Sequence, residues 1–220
     1  MAKRPVFVPK FSDTEFVEAI NVEFMWHAGM ALPQVRKSIA SLHAAAKQKG
    51  IAPCLEISSK SPDDLGVALS AFNLKLERPG QRPMSVECAF QGSKVFEQGG
   101  PYTDLYDRPS RDAKTDDRLH TSGAIVGFRF LGEEFPTKPV TAFYDWLYLK
   151  ALDQNRALAD ELEKYAGFTD IVFNPVKSLN CQAHAAALYV AACRQGHMPK
   201  MLHDLQFYLE RAAGPNNNAL

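Results

Sequence analysis

A single segment, between residues 84 and 96, constrains the fold more than any other part of the sequence. Ser85 is a preferred helix N-cap residue, and Glu87, Gln91 and Lys94 stand at i, i+4 and i+7, on one face of the predicted helix. The other sides of this helix are apolar and aromatic, which predicts a central position in the core. Spacing alone also fits an exposed polar face. In a buried helix, however, a carboxylate, an amide and an ammonium must find partners or line a cavity.

The remaining pattern predicts an α+β fold with more helix than strand. Residues 16–26 alternate between apolar and polar side chains, as in a half-buried strand, and residues 54–58 predict a second short strand. A helix is expected between Pro33 and Gly50, and another from Ser61 as N-cap. Further helices are predicted at 141–153, 156–165, 181–195 and 199–211, and a short strand at 169–173.

One domain is expected to cover residues 1–212, because neither an internal repeat nor a linker divides the chain. The last residues, 213–220, are rich in Asn and Gly and are predicted to be a disordered tail.

Charge and cysteine content exclude several function classes. Lys and Arg number 25 and so do Asp and Glu, so a broad basic surface that coats nucleic acid is not expected. No run of about 18 apolar residues predicts a membrane helix, and the N-terminus lacks the apolar stretch of a secretory signal, which favours a cytoplasmic protein. The four cysteines are far apart and none stands at zinc-site spacing with a histidine. We therefore expect no disulfide, no metal and no cofactor.

Residues 99–122 form the most polar and turn-rich stretch, and a loop of this length in a compact domain usually has a function. Gly100 can bring its backbone N–H group close to a pyrophosphate, with Tyr102 nearby. The basic residues of 108–118 are expected to contact a few phosphates of a nucleic acid, since zero net charge allows only local recognition. Residues 123–130 are apolar and predicted to be buried.

Two motifs resemble the signature of the NADAR family. The turn Ser70-Ala71-Phe72-Asn73 precedes Ser85-Val86-Glu87 and then Gln91 and Lys94, and Tyr144-Asp145-Trp146 is similar to the family's Asp-Trp helix. The runs 89–96 and 99–106 look most like the DarT-associated NADAR antitoxin branch. The resemblance covers about residues 55–195, so residues 1–50 would extend a helix-rich NADAR-type domain at its N-terminus. Two positions depart from the family pattern: Cys88 replaces a His, and Asn73 follows the Phe instead of preceding it.

The resemblance implies an N-glycosidase that breaks a bond between ribose C1 and a nitrogen. In the antitoxin branch the implied substrate is ADP-ribose linked to guanine in single-stranded DNA, with ADP-ribose as product. The chain would then counteract a DarT-type DNA ADP-ribosyltransferase; whether it also binds that toxin directly stays open. Two alternatives remain. One is an N-glycosidase acting on a phosphoribosylamino-pyrimidine of riboflavin metabolism, and the other is a module that binds ADP-ribose without chemistry.

Glu87 is the expected catalytic carboxylate, because cleavage builds positive charge at C1 and a nearby carboxylate stabilises that charge. Lys60, directly after a predicted strand, is the expected catalytic lysine, which when unprotonated forms a Schiff base with the opened ribose. Lys94 would then bind the ligand; the reverse assignment and direct hydrolysis stay open. Asn180 is expected first as a helix N-cap, and His184 as a packing residue. The expected ligand-binding residues are Ser70, Asn73, Gln91, Lys94, Gly100, Tyr102, Asp145, Trp146 and Asn180.

Overall fold

Helices and strands alternate irregularly in the computed structural model, which describes residues 1–12, 15–173 and 180–212. Within these ranges the strands are β1 (Ala2–Pro9), β2 (Val17–Phe24), β3 (Cys54–Glu56), β4 (Lys75–Leu76), β5 (Met84–Ser85), β6 (Lys94–Phe96), β7 (Ile125–Phe130), β8 (Glu133–Phe135) and β9 (Gly167–Thr169). The helices are α1 (Leu32–Gln48), α2 (Asp64–Ala68), α3 (Val86–Gly92), α4 (Ser110–Lys114), α5 (Arg118–Thr121), α6 (Ala142–Gln154), α7 (Arg156–Ala159), α8 (Gln182–Arg194), α9 (Met198–His203) and α10 (Leu205–Ala212). Short 3-10 helices span Thr103–Asp107 and Asp160–Lys164. The predicted α+β class is confirmed, and the predicted disordered tail lies outside the described residues.

A four-stranded sheet joins the N-terminal residues to the later part of the chain. Its order is β2-β1-β9-β3, with β1 antiparallel to both neighbours and β3 parallel to β9. Strand β1 was not predicted, because Pro5 and Pro9 are residues that rarely occur inside strands. Helix α1 packs on this sheet through the predicted stripe of Val35, Ile39 and Leu42, which closes a smaller hydrophobic core.

The larger core surrounds α3. Helices α6 and α8 are buried along most of their length, and the Tyr148 hydroxyl donates to the Leu69 carbonyl at 2.6 Å. Helix α3 is buried over its whole length, as its apolar residues predicted. Its N-cap is Ser85, whose Oγ accepts a hydrogen bond from the Cys88 backbone N–H at 3.1 Å. A short amphipathic helix would expose one face. Because all sides of α3 are buried, each of its polar side chains needs a hydrogen-bond partner or must line a cavity.

Helix α3 is shorter than predicted. It ends at Gly92 and not near residue 96, and Gly92 lies against the Tyr106 ring, where an added Cβ would sit 2.6 Å away. After this turn, Lys94 to Phe96 form β6, which pairs with β7 in a three-stranded sheet with β8. Lys94 therefore stands on a strand and not on the helix face.

Other boundaries also differ from the sequence predictions. Helix α2 begins after Asp63, while Ser61 caps the preceding turn by accepting from the Asp63 N–H at 3.1 Å. The predicted strand at 169–173 lies slightly earlier, as β9. The 99–122 segment contains α4, α5 and a 3-10 helix instead of a plain loop. In β7, Ile125 and Val126 are 40% and 56% exposed, so 123–130 is only half-buried. No helix of the described residues is long and apolar enough to cross a membrane.

Gly66 is predicted to be essential for packing α2 against β3. A Cβ at this position would lie 2.0 Å from the Glu56 carbonyl oxygen and 2.4 Å from Ser61 Oγ. Because a backbone oxygen cannot move aside cheaply, Gly66→Ala should lower the free energy of unfolding by about 3 kcal/mol, the upper end of overpacking costs. Urea unfolding measures the change. Gly127→Ala is the control, since its nearest neighbour would be 3.5 Å away, and equal stability of the two variants would contradict the packing argument.

Candidate active site

A cavity of about 400 Å³ opens beside α3, a volume within the usual range of small-molecule sites. Its walls come from the segment after β3, the turn at 70–72, the helices α3, α4 and α6, and residues on both sides of the 174–179 segment, which is outside the described residues. The lining residues are Ser58, Ser59, Lys60, Ser70, Ala71, Phe72, Glu87, Phe90, Gln91, Lys114, Tyr144, Asp170, Val172, Phe173, Asn180 and Gln182.

Glu87 contributes a carboxylate to this cavity while being only 5% exposed. Its Oε1 accepts a hydrogen bond from Gln91 Nε2 at 2.8 Å and lies 3.7 Å from Lys114 Nζ. The other oxygen, Oε2, makes no hydrogen bond or ion pair within the described part of the chain. One carboxylate oxygen is therefore held in place by the protein, and the other is available to a ligand.

Gln91 donates a hydrogen bond to Glu87, and Lys94 donates one to Gln91. We call Glu87, Gln91 and Lys94 the polar row. Lys94 Nζ donates to Gln91 Oε1 at 2.6 Å, which fixes the amide so that its nitrogen faces Glu87. Burial lowers the pKa of Lys94 to about 8, although the Glu87 charge opposes this shift. Lys94 itself does not line the cavity. Its ammonium lies 4.8 Å from the centre of the Phe90 ring.

Two lysines bring positive charge directly to the cavity. Lys114, on α4, lies beside Glu87 with its ammonium 5.2 Å from the centre of the Phe72 ring. Lys60 follows β3 and donates from Nζ to the Met30 carbonyl at 3.1 Å. The cavity thus combines the carboxyl groups of Glu87 and Asp170 with the amino groups of Lys60 and Lys114, a set that offers separate contacts to negative and to positive charge on a ligand.

The turn at 70–72 presents a hydroxyl to the cavity. Ser70 is 2% exposed, and its Oγ has no hydrogen-bond partner among the residues described. The neighbouring Ala71 is held at both ends: its N–H donates to Gln182 Oε1 at 2.7 Å, and its carbonyl accepts from the Glu87 N–H at 2.9 Å. A buried hydroxyl without a partner costs free energy unless a ligand or water satisfies it. Ser70 is therefore a good candidate for a ligand contact.

A network of buried carboxyl groups supports the wall opposite α3. Glu56 accepts from Thr169 Oγ1 at 2.6 Å and from the Ile171 N–H at 2.9 Å, and His43 Nε2 lies 2.9 Å from the same Thr169 hydroxyl. Burial, and then the charge of Asp170, raise the pKa of Glu56 to about 8. Burial also raises the pKa of Asp170, whose carboxylate accepts from Gln182 Nε2 at 3.0 Å.

Six of the nine predicted ligand-binding residues do not line the cavity: Lys94, described above, Asp145, described below, and four others. Asn73 is exposed and donates from Nδ2 to the Val67 carbonyl at 2.8 Å, which closes the local turn. Gly100 has a φ of +79° and passes the Lys94 carbonyl so closely that a Cβ would be 2.4 Å away. Tyr102 bonds to Ser122, and Trp146 is 2% exposed in the core. Their local roles are structural in this geometry.

Of the predicted residues Asp145 and Asn180, only Asn180 lines the cavity. Asp145 is buried away from the cavity, 3.3 Å from His184 Nδ1. Burial by itself lowers the pKa of His184, but Asp145 outweighs burial and the pKa is raised. Asn180 lines the cavity as predicted for a ligand contact, although the N-cap of α8 is Cys181.

Sequence reasoning missed Tyr144, Gln182 and Asp170 as cavity residues. Tyr144 stands in the same helix as Trp146, and periodicity alone could not decide which of the two faces the cavity. Gln182 and Asp170 belong to no distinctive local motif. Their hydrogen-bonded connection to Ala71 joins segments that are far apart in the sequence. The basic segment 108–118 did include Lys114, but as a phosphate contact and not as a partner of Glu87. In the described residues, no three His, Cys, Asp or Glu side chains converge as in a metal site.

Comparison with protein families matches the sequence to a known group. A family model described as the DarT1-associated NADAR antitoxin matches residues 2–218. The chain belongs to this family. No curated protein matches the sequence.

The match to the NADAR antitoxin family extends well beyond the 55–195 region on which the sequence resemblance rested. It includes β1, β2 and α1, which supply half of the four-stranded sheet and the helix that covers it. Membership implies a DarT-type toxin as the counterpart of this chain.

Glu56 makes stability depend on pH. Its pKa is raised from 4.5 to about 8 in the folded state, so between these values the folded chain holds a proton that the unfolded chain has released. Stability from this group is therefore complete below pH 4.5 and is lost as the pH rises towards 8. Gln cannot ionise. In Glu56→Gln the free energy of unfolding should therefore fall less steeply between pH 6.5 and 8 than in the wild type, by up to about 1.4 kcal/mol per pH unit.

Urea unfolding at several pH values measures this difference. The exposed Glu133→Gln is the control for removing one carboxylate anywhere on the chain. Parallel stability profiles of the wild type and Glu56→Gln would show that Glu56 is ionised in the folded protein.

Proposed function

We propose that the chain is a glycohydrolase that removes ADP-ribose from guanine in single-stranded DNA, and so acts as antitoxin to a DarT-type DNA ADP-ribosyltransferase. The observation that carries the proposal is the Glu87 carboxylate, which lies buried in a ligand-sized cavity with Oε2 unpaired among the described residues. Membership of the DarT1-associated NADAR antitoxin family supports the choice of substrate.

Glu87 acts on the ribose. Breaking the bond between C1 and nitrogen builds positive charge on C1 and the ring oxygen, and a fixed carboxylate nearby lowers the energy of that state. Gln91 prevents Glu87 from turning away, because its amide holds Oε1 at 2.8 Å. Water is largely excluded at this position, so the attraction is stronger than it would be in solvent.

The lysines and Ser70 bind the rest of the ligand. Lys114 lies 3.7 Å from Glu87, close enough to offset its charge and to attract the pyrophosphate of ADP-ribose. Ser70 Oγ can satisfy its missing hydrogen bond with a ribose hydroxyl. A site that only sequestered ADP-ribose would not need a carboxylate, which repels the pyrophosphate.

Lys60 provides a second, covalent route, in which Glu87 stabilises the positive charge that develops at C1 while the ribose ring opens. The bond from C1 to the ring oxygen breaks, the oxygen takes a proton, and C1 becomes an imine with the exocyclic amine of guanine. The unprotonated Lys60 amine adds to C1, and the bond from C1 to the exocyclic nitrogen breaks. The two N–H protons of the lysine pass to that nitrogen, so guanine leaves as the free amine while the imine to Lys60 forms. Water then hydrolyses this imine, which releases ADP-ribose and restores the lysine. In this scheme Lys94 positions Gln91 and does not react.

Glu87→Gln tests the role of the carboxylate. The amide keeps the shape of the side chain but cannot stabilise the developing cation, so release of ADP-ribose from toxin-modified single-stranded DNA should slow by about 100-fold or more. Single-turnover assays measure the rate, and binding of free ADP-ribose should remain. Glu133→Gln serves as the control and should match the wild type. An unchanged rate in folded Glu87→Gln would exclude Glu87 from the mechanism, and ADP-ribose binding without release by the wild type would leave only a binding module.

Lys60 is expected to carry the covalent intermediate. Cyanoborohydride added during turnover should reduce the imine and leave ADP-ribose attached to Lys60, which peptide mass spectrometry locates. An adduct on Lys114 or Lys94 would reassign the amine. Turnover at the normal rate without any adduct would instead support direct hydrolysis assisted by Glu87.

A further inference from the structure

The loop between β2 and α1 exposes a group of large apolar side chains. Met25 is 59% exposed, Trp26 38%, Met30 71% and Leu32 44%. We call these four residues the loop patch. Single exposed apolar residues are common, but four within eight positions form a surface that suggests a partner.

The loop patch borders the cavity. Lys60, a cavity residue, donates to the carbonyl of Met30 at 3.1 Å, so the rim of the site and the loop are directly joined. A second link lies close by, where Arg36 Nη2 donates to the Ser61 carbonyl at 3.2 Å. A nucleic acid strand that left the cavity past Lys60 would therefore reach the loop patch within a few ångströms.

A basic side chain, Arg4, contacts the loop patch. The Arg4 guanidinium lies 5.5 Å from the centre of the Trp26 ring, and the Phe24 ring meets the same indole edge-on at 6.1 Å, so the indole is held in a fixed orientation. Lys3, Arg36 and Lys37 lie on the adjoining strand and helix. An ordered aromatic ring among cations is the arrangement on which nucleobases stack while the backbone phosphates are neutralised.

The segment from which we expected phosphate contacts is less suitable. Arg118 forms ion pairs with Asp104 and Asp116, and Arg108 lies 4.0 Å from Asp104. Residues 104–118 contain five acidic and four basic side chains, and of the basic ones only Arg111 and the cavity-lining Lys114 form no ion pair within this segment.

We propose that the loop patch is a stacking surface for the unmodified bases of single-stranded nucleic acid that flank the base held in the cavity. Trp26 stacks on one such base, and Arg4 contacts an adjoining phosphate. The identification of the strand as the substrate rests on the proposed function, whereas binding of a single strand to the patch does not.

Trp26 also offers a direct signal of binding. The chain has two tryptophans, and Trp146 is 2% exposed in the core. Titration with an unmodified single-stranded oligonucleotide should quench the fluorescence of Trp26. Trp26→Ala should weaken this oligonucleotide's binding, followed by anisotropy of a label on the DNA, by about 5-fold or more, the range seen when one stacked base is lost.

Phe11→Ala is the matched control. Phe11 is also an exposed aromatic residue, with the Arg194 guanidinium 5.0 Å from its ring, but it lies past the opposite end of the β1–β2 pair. This variant should bind the oligonucleotide like the wild type. Trp26→Phe should retain most of the affinity while losing the quenching, which distinguishes lost stacking from a damaged fold.

The two proposals fail in different ways. Oligonucleotide affinity that is equal in Trp26→Ala and the wild type would overturn the stacking surface, as would a patch that affects only binding of the toxin protein. If instead binding depends on Trp26 but no variant, including the wild type, releases ADP-ribose from modified DNA, the stacking surface stands and the proposed glycohydrolase activity falls. Binding of free ADP-ribose, which lacks the flanking nucleotides, should be the same in Trp26→Ala and the wild type.

Discussion

The candidate site depends on the hydrogen bonds of the polar row, which let a carboxylate lie inside an otherwise apolar core. An isolated buried carboxylate would be destabilising by many kcal/mol or would take up a proton. Gln91 donates a hydrogen bond to one oxygen of the Glu87 carboxylate, and Lys94 in turn fixes the amide of Gln91. The termination of α3 at Gly92 is part of this arrangement, because it places Lys94 on β6, from which its side chain reaches back to Gln91.

The wall opposite α3 is held by a second set of contacts that begins in the N-terminal sheet. Glu56 at the end of β3 accepts hydrogen bonds from Thr169 and Ile171. The adjacent Asp170 accepts a hydrogen bond from Gln182, and Gln182 in turn accepts one from the backbone N–H of Ala71. Ala71 then accepts from the backbone of Glu87, so the chain of contacts returns to α3. The N-terminal strands and α1 are therefore part of the frame of the site, which agrees with a family match that starts at residue 2.

The sequence predicted what depends on local spacing and failed where distant segments meet. The N-cap Ser85 and the central position of α3 follow from a few consecutive residues. The prolines of β1 concealed a strand that its pairing with β2 and β9 stabilises. Trp146 was expected near the ligand because of its motif, yet the rings of Phe130 and Phe135 surround it in the core. Gln182 could not be found from sequence, since its partners are 12 and 111 positions away.

The central claim is that Gln91 contributes to catalysis only by holding Glu87. The measurement that tests it most directly is a double-mutant cycle on the single-turnover release of ADP-ribose from modified single-stranded DNA, with Glu87→Gln, Gln91→Met and the pair. We expect Gln91→Met to slow the wild type clearly but to change the Glu87→Gln variant hardly at all, because the group it holds is already absent. Fully multiplicative losses would show that the two side chains act independently and would contradict the account.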